Sequence, residues 1–130
     1  MKETQIIYHG NGISHTYQDG TVKWYQNGML HKEDGPAIIF FFGQQEWWIN
    51  GKKHRDGLPA VIKPDGSQYW YKNGKKHRED GPAVIYPHGR GIWFIDGIEL
   101  SEQDFKIVIM KKELNRDLSI NEIKSKKLKV

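Results

Sequence analysis

Three histidines, His31, His54 and His77, recur at 23-residue intervals, each seven residues after a tryptophan: Trp24, Trp47 and Trp70. A cation follows each one (Lys32, Arg55, Arg78), and then come carboxylates in Glu33-Asp34, Asp56 and Glu79-Asp80. Imidazole, cation and carboxylate in one short segment could ligate a metal or relay a proton. They could also hold an anion while the indole stacks on a base, a sugar or a peptide side chain. Metal binding fails on distance, because a unit that adds two strands at ~4.8 Å sets equivalent histidines ~10 Å apart. Zinc–nitrogen bonds are only ~2.0–2.1 Å. Catalysis is disfavoured by the repetition, since catalytic groups gather in one pocket whereas a repeated turn makes three similar exposed ones. His9, His15 and His88 stand outside the period with no evident partner, and no Gly-rich phosphate loop, serine nucleophile motif or His-Glu-x-x-His pattern occurs. The absence of cysteine removes disulfides, thiolate zinc sites and cysteine nucleophiles. The expectation is a non-enzymatic chain that needs no cofactor and no metal.

The elements that hold these residues follow from turn chemistry. The 23-residue step also joins Asn27-Gly28, Asn50-Gly51, Asn73-Gly74 and Asp96-Gly97, then Gly20, Gly43, Gly66 and Gly89, and Pro36-Ala37, Pro59-Ala60 and Pro82-Ala83. Asn-Gly between strand formers signals a two-residue type I′ hairpin, because both residues tolerate positive φ. That loop length fixes register, pairing Gln26 with Met29, Tyr25 with Leu30 and Trp24 with His31, and likewise Trp47 with His54 and Trp70 with His77. Each charged Pro-containing turn then ends a strand, because proline has no N–H for a ladder. The fold class expected is mostly β, an antiparallel β-meander of tandem 23-residue hairpin units over 12–100. Residues 12–20 form a degenerate leading half-unit, and the whole chain 1–130 makes one domain. The middle unit moves its Asp-Gly pair one place earlier, at Asp56-Gly57, which a structural turn tolerates better than a site needing identical carboxylates. After Leu100 the period changes. Ser101 with Asp104 reads as an N-cap for a helix to about Asn115, and Ser119 with Glu122 repeats the cap for a shorter one, followed by a basic tail, Lys124–Lys129. Together, 101–130 form a helical C-terminal cap, whose first helix should cover the last hairpin's open edge.

Charge and composition narrow the partners. Residues 1–100 hold 12 Lys/Arg against 11 Asp/Glu and residues 101–130 hold 8 against 5, so the net +4 sits mainly in the tail. A nearly neutral body lacks the massed cations of a duplex nucleic-acid footprint. No segment approaches the ~18 apolar residues of a membrane helix, so a cytoplasmic protein without a membrane partner is expected.

Units such as Trp70-Tyr71-Lys72-Asn73-Gly74-Lys75-Lys76-His77-Arg78-Glu79-Asp80-Gly81-Pro82-Ala83 resemble the MORN (membrane occupation and recognition nexus) repeat over about residues 12–100. They are more similar to a MORN-like variant of small phage, bacterial and large-virus proteins, since the usual Gly-x-Gly after His is absent. The resemblance implies a hairpin-repeat binding or scaffolding protein without enzymatic activity, and a phage accessory protein that interferes with a host defence protein fits it. Another protein, from the host or a second copy in a homo-oligomer, is the expected partner, engaged through the sheet face of Tyr25, Trp48, Tyr71 and Phe94 or through the Glu-Asp-Gly-Pro turns. The alternative is a ligand-binding face of Trp24, His31, Trp47, His54, Arg55, Trp70, His77 and Arg78, sequestering a nucleotide or nucleotide-derived signal, or binding single-stranded nucleic acid. By strand alternation the two aromatic stripes lie on opposite faces, and one of them should be buried.

Overall fold

The computed structural model describes residues 2–128. Its first half comprises β1 (Glu3–His9), β2 (Gly12–Tyr17), β3 (Val22–Gln26), β4 (Met29–Leu30), β5 (Ile38–Ile39), β6 (Gln45–Glu46), β7 (Trp48–Ile49) and β8 (Lys52–Lys53). There follow β9 (Val61–Ile62), β10 (Gln68–Tyr69), β11 (Tyr71–Lys72), β12 (Lys75–Lys76), β13 (Val84–Ile85), β14 (Gly91–Ile95), β15 (Ile98–Leu100) and the helix α1 (Glu102–Leu128). One 11-stranded antiparallel sheet runs β1-β2-β3-β5-β6-β9-β10-β13-β14-β15 with β4 paired to β3, while β7–β8 and β11–β12 form two-stranded pieces. The chain is therefore mostly β, a meander-like sheet with one C-terminal helix.

The turns take the backbone that their residues favour. Asn27, Asn50, Asn73 and Asp96 have φ of 48–52° and the glycines after them 75–84°, as a type I′ turn requires. The pairs Tyr25↔Leu30 and Gln26↔Met29 form in the expected register. The expected Trp–His pairing is made by backbone: the N–H groups of His31, His54 and His77 donate to the carbonyls of Trp24, Trp47 and Trp70 at 3.0–3.1 Å. Each hairpin is also tied to the next, as Gly51, Gly74 and Gly97 donate to the carbonyls of Leu30, Lys53 and Lys76 at 2.8–2.9 Å.

Small residues make the centre. Ala37, Ala60 and Ala83 are fully buried, and their carbonyls accept from the N–H groups of Trp24, Trp47 and Trp70 at 2.7 Å. Beside them Ile38, Val61 and Val84 are buried as well. At position 91 the backbone leaves no room, because a Cβ built there would lie 2.8 Å from Pro82. Gly91→Ala should therefore lower the melting temperature by several degrees, since about 1 kcal/mol moves a domain of this size by roughly 2–8 °C.

The sheet also takes in residues before the 12–100 span: β1 pairs β2 through a two-residue turn, with His9 opposite Gly12 and Gly10 at φ 55°. Two expectations need correction. The two helices are one. No Gly or Pro interrupts 115–119, so the second cap signal does not outweigh continuous helix hydrogen bonding. Of the basic tail, Lys124–Lys127 belong to α1, and Lys129 lies outside the described residues. Neither aromatic stripe is the buried one as a whole: Trp70 is buried, while Trp24, Trp47, Trp93, Tyr25, Trp48, Tyr71 and Phe94 are all partly exposed. The expected cap at Ser101 does form, its Oγ accepting the Asp104 N–H at 3.1 Å. α1 meets β14 and β15 and buries Phe105. Beyond that contact it exposes Ile107, Met110, Leu114 and Leu118.

Candidate functional site: two faces of one sheet

Residues paired across neighbouring strands share a face, which sets Lys23, Ile38, Glu46, Val61, Tyr69 and Val84 on one side. Alternation within β3 and β14 adds Tyr25 and Phe94 to that side and puts Trp24 and Trp93 on the other; at the breaks after β6 and β10, Trp48 and Tyr71 stay beside Glu46, while Trp47 and Trp70 line hollows with His54 and His77. These are called below the aromatic face and the tryptophan face.

On the tryptophan face the polar atoms are largely engaged within the fold. The Nδ1 atoms of His31, His54 and His77 accept the backbone N–H of Asn50, Asn73 and Asp96, 19 residues on, at 3.0–3.1 Å. A neutral ring that accepts at Nδ1 carries its proton on Nε2. There it faces Glu33 at 3.5 Å, Asp56 at 3.0 Å and Glu79 at 3.4 Å. Only the His54–Asp56 contact is a well-formed hydrogen bond; in the other two Nε2 and the carboxylate are near but poorly aligned. Asp56 thus occupies the place of Glu33 and Glu79, so the slipped turn keeps its carboxylate two residues after the histidine. His77 differs from the others, for Asp96 also brings a carboxylate oxygen to 3.2 Å of its Nδ1.

The cations lie over the indoles. Lys32 Nζ is 3.9 Å from the centre of the Trp24 ring, Arg55 is 3.9 Å from Trp47 and Arg78 is 4.0 Å from Trp70. Each such contact is worth about 0.5–1 kcal/mol at an exposed site. Arg55 and Arg78 also donate to the carbonyls of Pro59 and Pro82 at 3.1 Å, and Arg78 donates to Asp80 at 2.8 Å. Cavities of 190–630 Å³ do run along this face, but the turn carboxylates form part of their walls. The eight residues read as a ligand face are therefore together, with one ring face of each indole covered by a cation and the histidine Nδ1 atoms already bonded.

Two carboxylates here are depressed. The Arg78 hydrogen bond holds Asp80 below its ordinary 3.8, over a small opposing effect of burial. Burial alone would raise Glu79, but His77 and Lys112, 3.4 Å away, together bring it below 4.5. A depressed carboxylate stabilises the fold when ionised, so this contribution is present at neutral pH and lost as pH falls through the folded-state values. Both side chains are substantially exposed, so the effect is small. The double variant Glu79→Gln/Asp80→Asn should flatten the fall in melting temperature between about pH 5 and pH 3, as followed by circular dichroism.

The aromatic face is assembled differently. Lys53 Nζ lies 5.6 Å from the Trp48 ring and 5.2 Å from Tyr71, and Lys76 Nζ lies 5.0 Å from Phe94. Lys63 sits 4.9 Å from the Tyr69 ring, and Lys23 sits 5.2 Å from Tyr17. None of these four lysines forms a salt bridge among the described residues. Interaction with Tyr69 raises the Lys63 pKa, and burial, aided by the charge of Glu46, raises that of Tyr71. Glu46 is the buried carboxylate of this face, its oxygens accepting from Gln44 Nε2 at 2.8 Å and Trp48 Nε1 at 3.0 Å. A 220 Å³ hollow lined by Gln44, Glu46, Lys53, Lys63, Tyr69 and Tyr71 opens beside it.

The expected interface residues Tyr25, Trp48, Tyr71 and Phe94 thus lie on one face, and the lysines between them were missed from the sequence. The signal was present, since the two-residue turn that pairs Trp47 with His54 also pairs Trp48 with Lys53, and Tyr71 with Lys76. No group of three or more His, Asp or Glu side chains that could hold a metal occurs among the described residues, and no helix is long and apolar enough to cross a membrane. Compared with protein-family models, curated proteins and solved structures, the chain matches none of them.

Proposed function

We propose that the chain is a non-enzymatic recognition module, a MORN-like run of hairpins whose aromatic face binds an acidic segment of another protein. One contrast carries this reading. Arg55 and Arg78 of the tryptophan face direct their N–H groups to the Pro59 and Pro82 carbonyls and to Asp80, whereas Lys23, Lys53, Lys63 and Lys76, also beside aromatic rings, hold no ion pair among the described residues. Partly exposed aromatics supply contact area at low entropic cost, and the lysines select a partner of opposite charge.

Fluorescence anisotropy with labelled Glu/Asp-rich peptides and with labelled oligothymidine tests the reading. The peptides should bind in a salt-dependent way, and Lys53→Glu/Lys76→Glu should weaken them at least tenfold while Arg55→Ala leaves them unchanged. Preference for oligothymidine, or binding of a free nucleotide that Arg55→Ala abolishes, would instead favour the nucleotide reading.

A further inference from the structure

The two ends of the sheet are unlike. At one end β15 has three residues and is followed by α1, whose Phe105 is buried against the sheet's end. At the other, β1 is seven residues long, and its outer edge has no neighbouring strand among the described residues. Proteins blunt such edges with proline, charge or a covering element, because unpaired N–H and C=O groups template further pairing. From Thr4 to His9 there is no Pro, Lys, Asp or Glu. The strand instead exposes Ile6, Ile7 and Tyr8, which are 47%, 41% and 76% accessible.

We infer that β1 is a self-recognition edge, pairing antiparallel with β1 of a second copy about a two-fold axis at Ile7. Sequence symmetry selects this register. Centred there, Ile7 meets Ile7 of the second copy and Ile6 meets its Tyr8 on both sides of the axis, and aromatic–β-branched pairs are among the favourable cross-strand combinations. Faces agree as well. Ile6 and Tyr8 pair with His15 and Ile13, which in turn pair with Lys23 and Tyr25, so both lie on the aromatic face. A two-fold axis perpendicular to the sheet keeps like faces on the same side, so the aromatic face runs unbroken from one copy into the other. With the opposite edge short and followed by the helix, pairing at the single open edge closes as a dimer and does not propagate into a filament.

The chain contains no cysteine, so single cysteines report the contact directly. Directly opposed residues in an antiparallel pair have Cα atoms about 4.5–5.5 Å apart, inside the disulfide range of about 4.4–6.8 Å. Mild oxidation of Ile7→Cys should give a covalent dimer in high yield, whereas Gln5→Cys, placed opposite His9 in this register, and Leu114→Cys on α1 should give little. Light scattering of the unmodified protein should read twice the 15.2 kDa chain mass at micromolar concentration. Ile7→Lys should return it to the single-chain mass with an unchanged circular dichroism spectrum. A single-chain mass for the unmodified protein at every concentration overturns the inference. So does cross-linking through Leu114→Cys in preference to Ile7→Cys, equal cross-linking at all three positions, or a different polypeptide found bound along β1.

Discussion

Replacing His31 with alanine should cost about 2 kcal/mol, because the Asn50 N–H of a part-buried hydrogen bond loses its acceptor and a buried ring is emptied at the same time. The bond spans 19 residues and joins two hairpins, so the loss falls on the contact between units rather than within one. His31→Asn provides the control. Its amide oxygen can occupy the place of Nδ1, so it should recover a large part of the loss, whereas His31→Leu fills the volume but offers no acceptor. Urea melts of the three variants separate the roles, and equal destabilisation by Asn and Leu would show that ring packing, not the hydrogen bond, is what the histidine contributes.

Ala60→Leu should cost about 3 kcal/mol, at the upper end of ordinary overpacking. Ala60 is fully enclosed, its carbonyl accepts from Trp47 at 2.7 Å, and its N–H donates to Tyr69 at 2.8 Å. Strands of two residues leave little backbone to absorb three added carbons, so the added bulk must lengthen one of those bonds or lift the Trp47 strand. The same substitution at the exposed Phe42 should change stability by less than about 0.5 kcal/mol, as surface positions usually do. Guanidinium titration measures both, and a cost below 1 kcal/mol at Ala60 would mean that the sheet centre is softer than its burial indicates.

The hairpins were readable in the sequence because their cause is local: Asn73-Gly74 needs nothing beyond its own backbone to form a type I′ turn, and a two-residue loop then dictates its partners. β1 was missed because it falls before the 23-residue period begins, even though His9-Gly10-Asn11-Gly12 has the makings of a tight turn. The sequence divides the helix at Asn115–Ser119 because Ser119 with Glu122 reads as a cap, yet a cap signal without a helix breaker does not end a helix, and 115–119 hold neither Gly nor Pro. For the site, register placed Tyr25, Trp48, Tyr71 and Phe94 together. The same register assigns Lys53 and Lys76 to that face. What it could not assign was that Arg55 and Arg78 fold back on the indoles, since that depends on where the Pro59 and Pro82 carbonyls and the Asp80 carboxylate come to lie. Burial of Glu46 was equally invisible, because a carboxylate in a two-residue strand carries no mark of the amide and indole that will enclose it.

The histidine bonds all reach forward by the same 19 residues and stop at the adjacent hairpin. Through these bonds each hairpin is coupled to the one beside it. A bond of fixed reach makes the coupling stepwise: loss of one histidine removes the bond at one junction and leaves those at the other two in place.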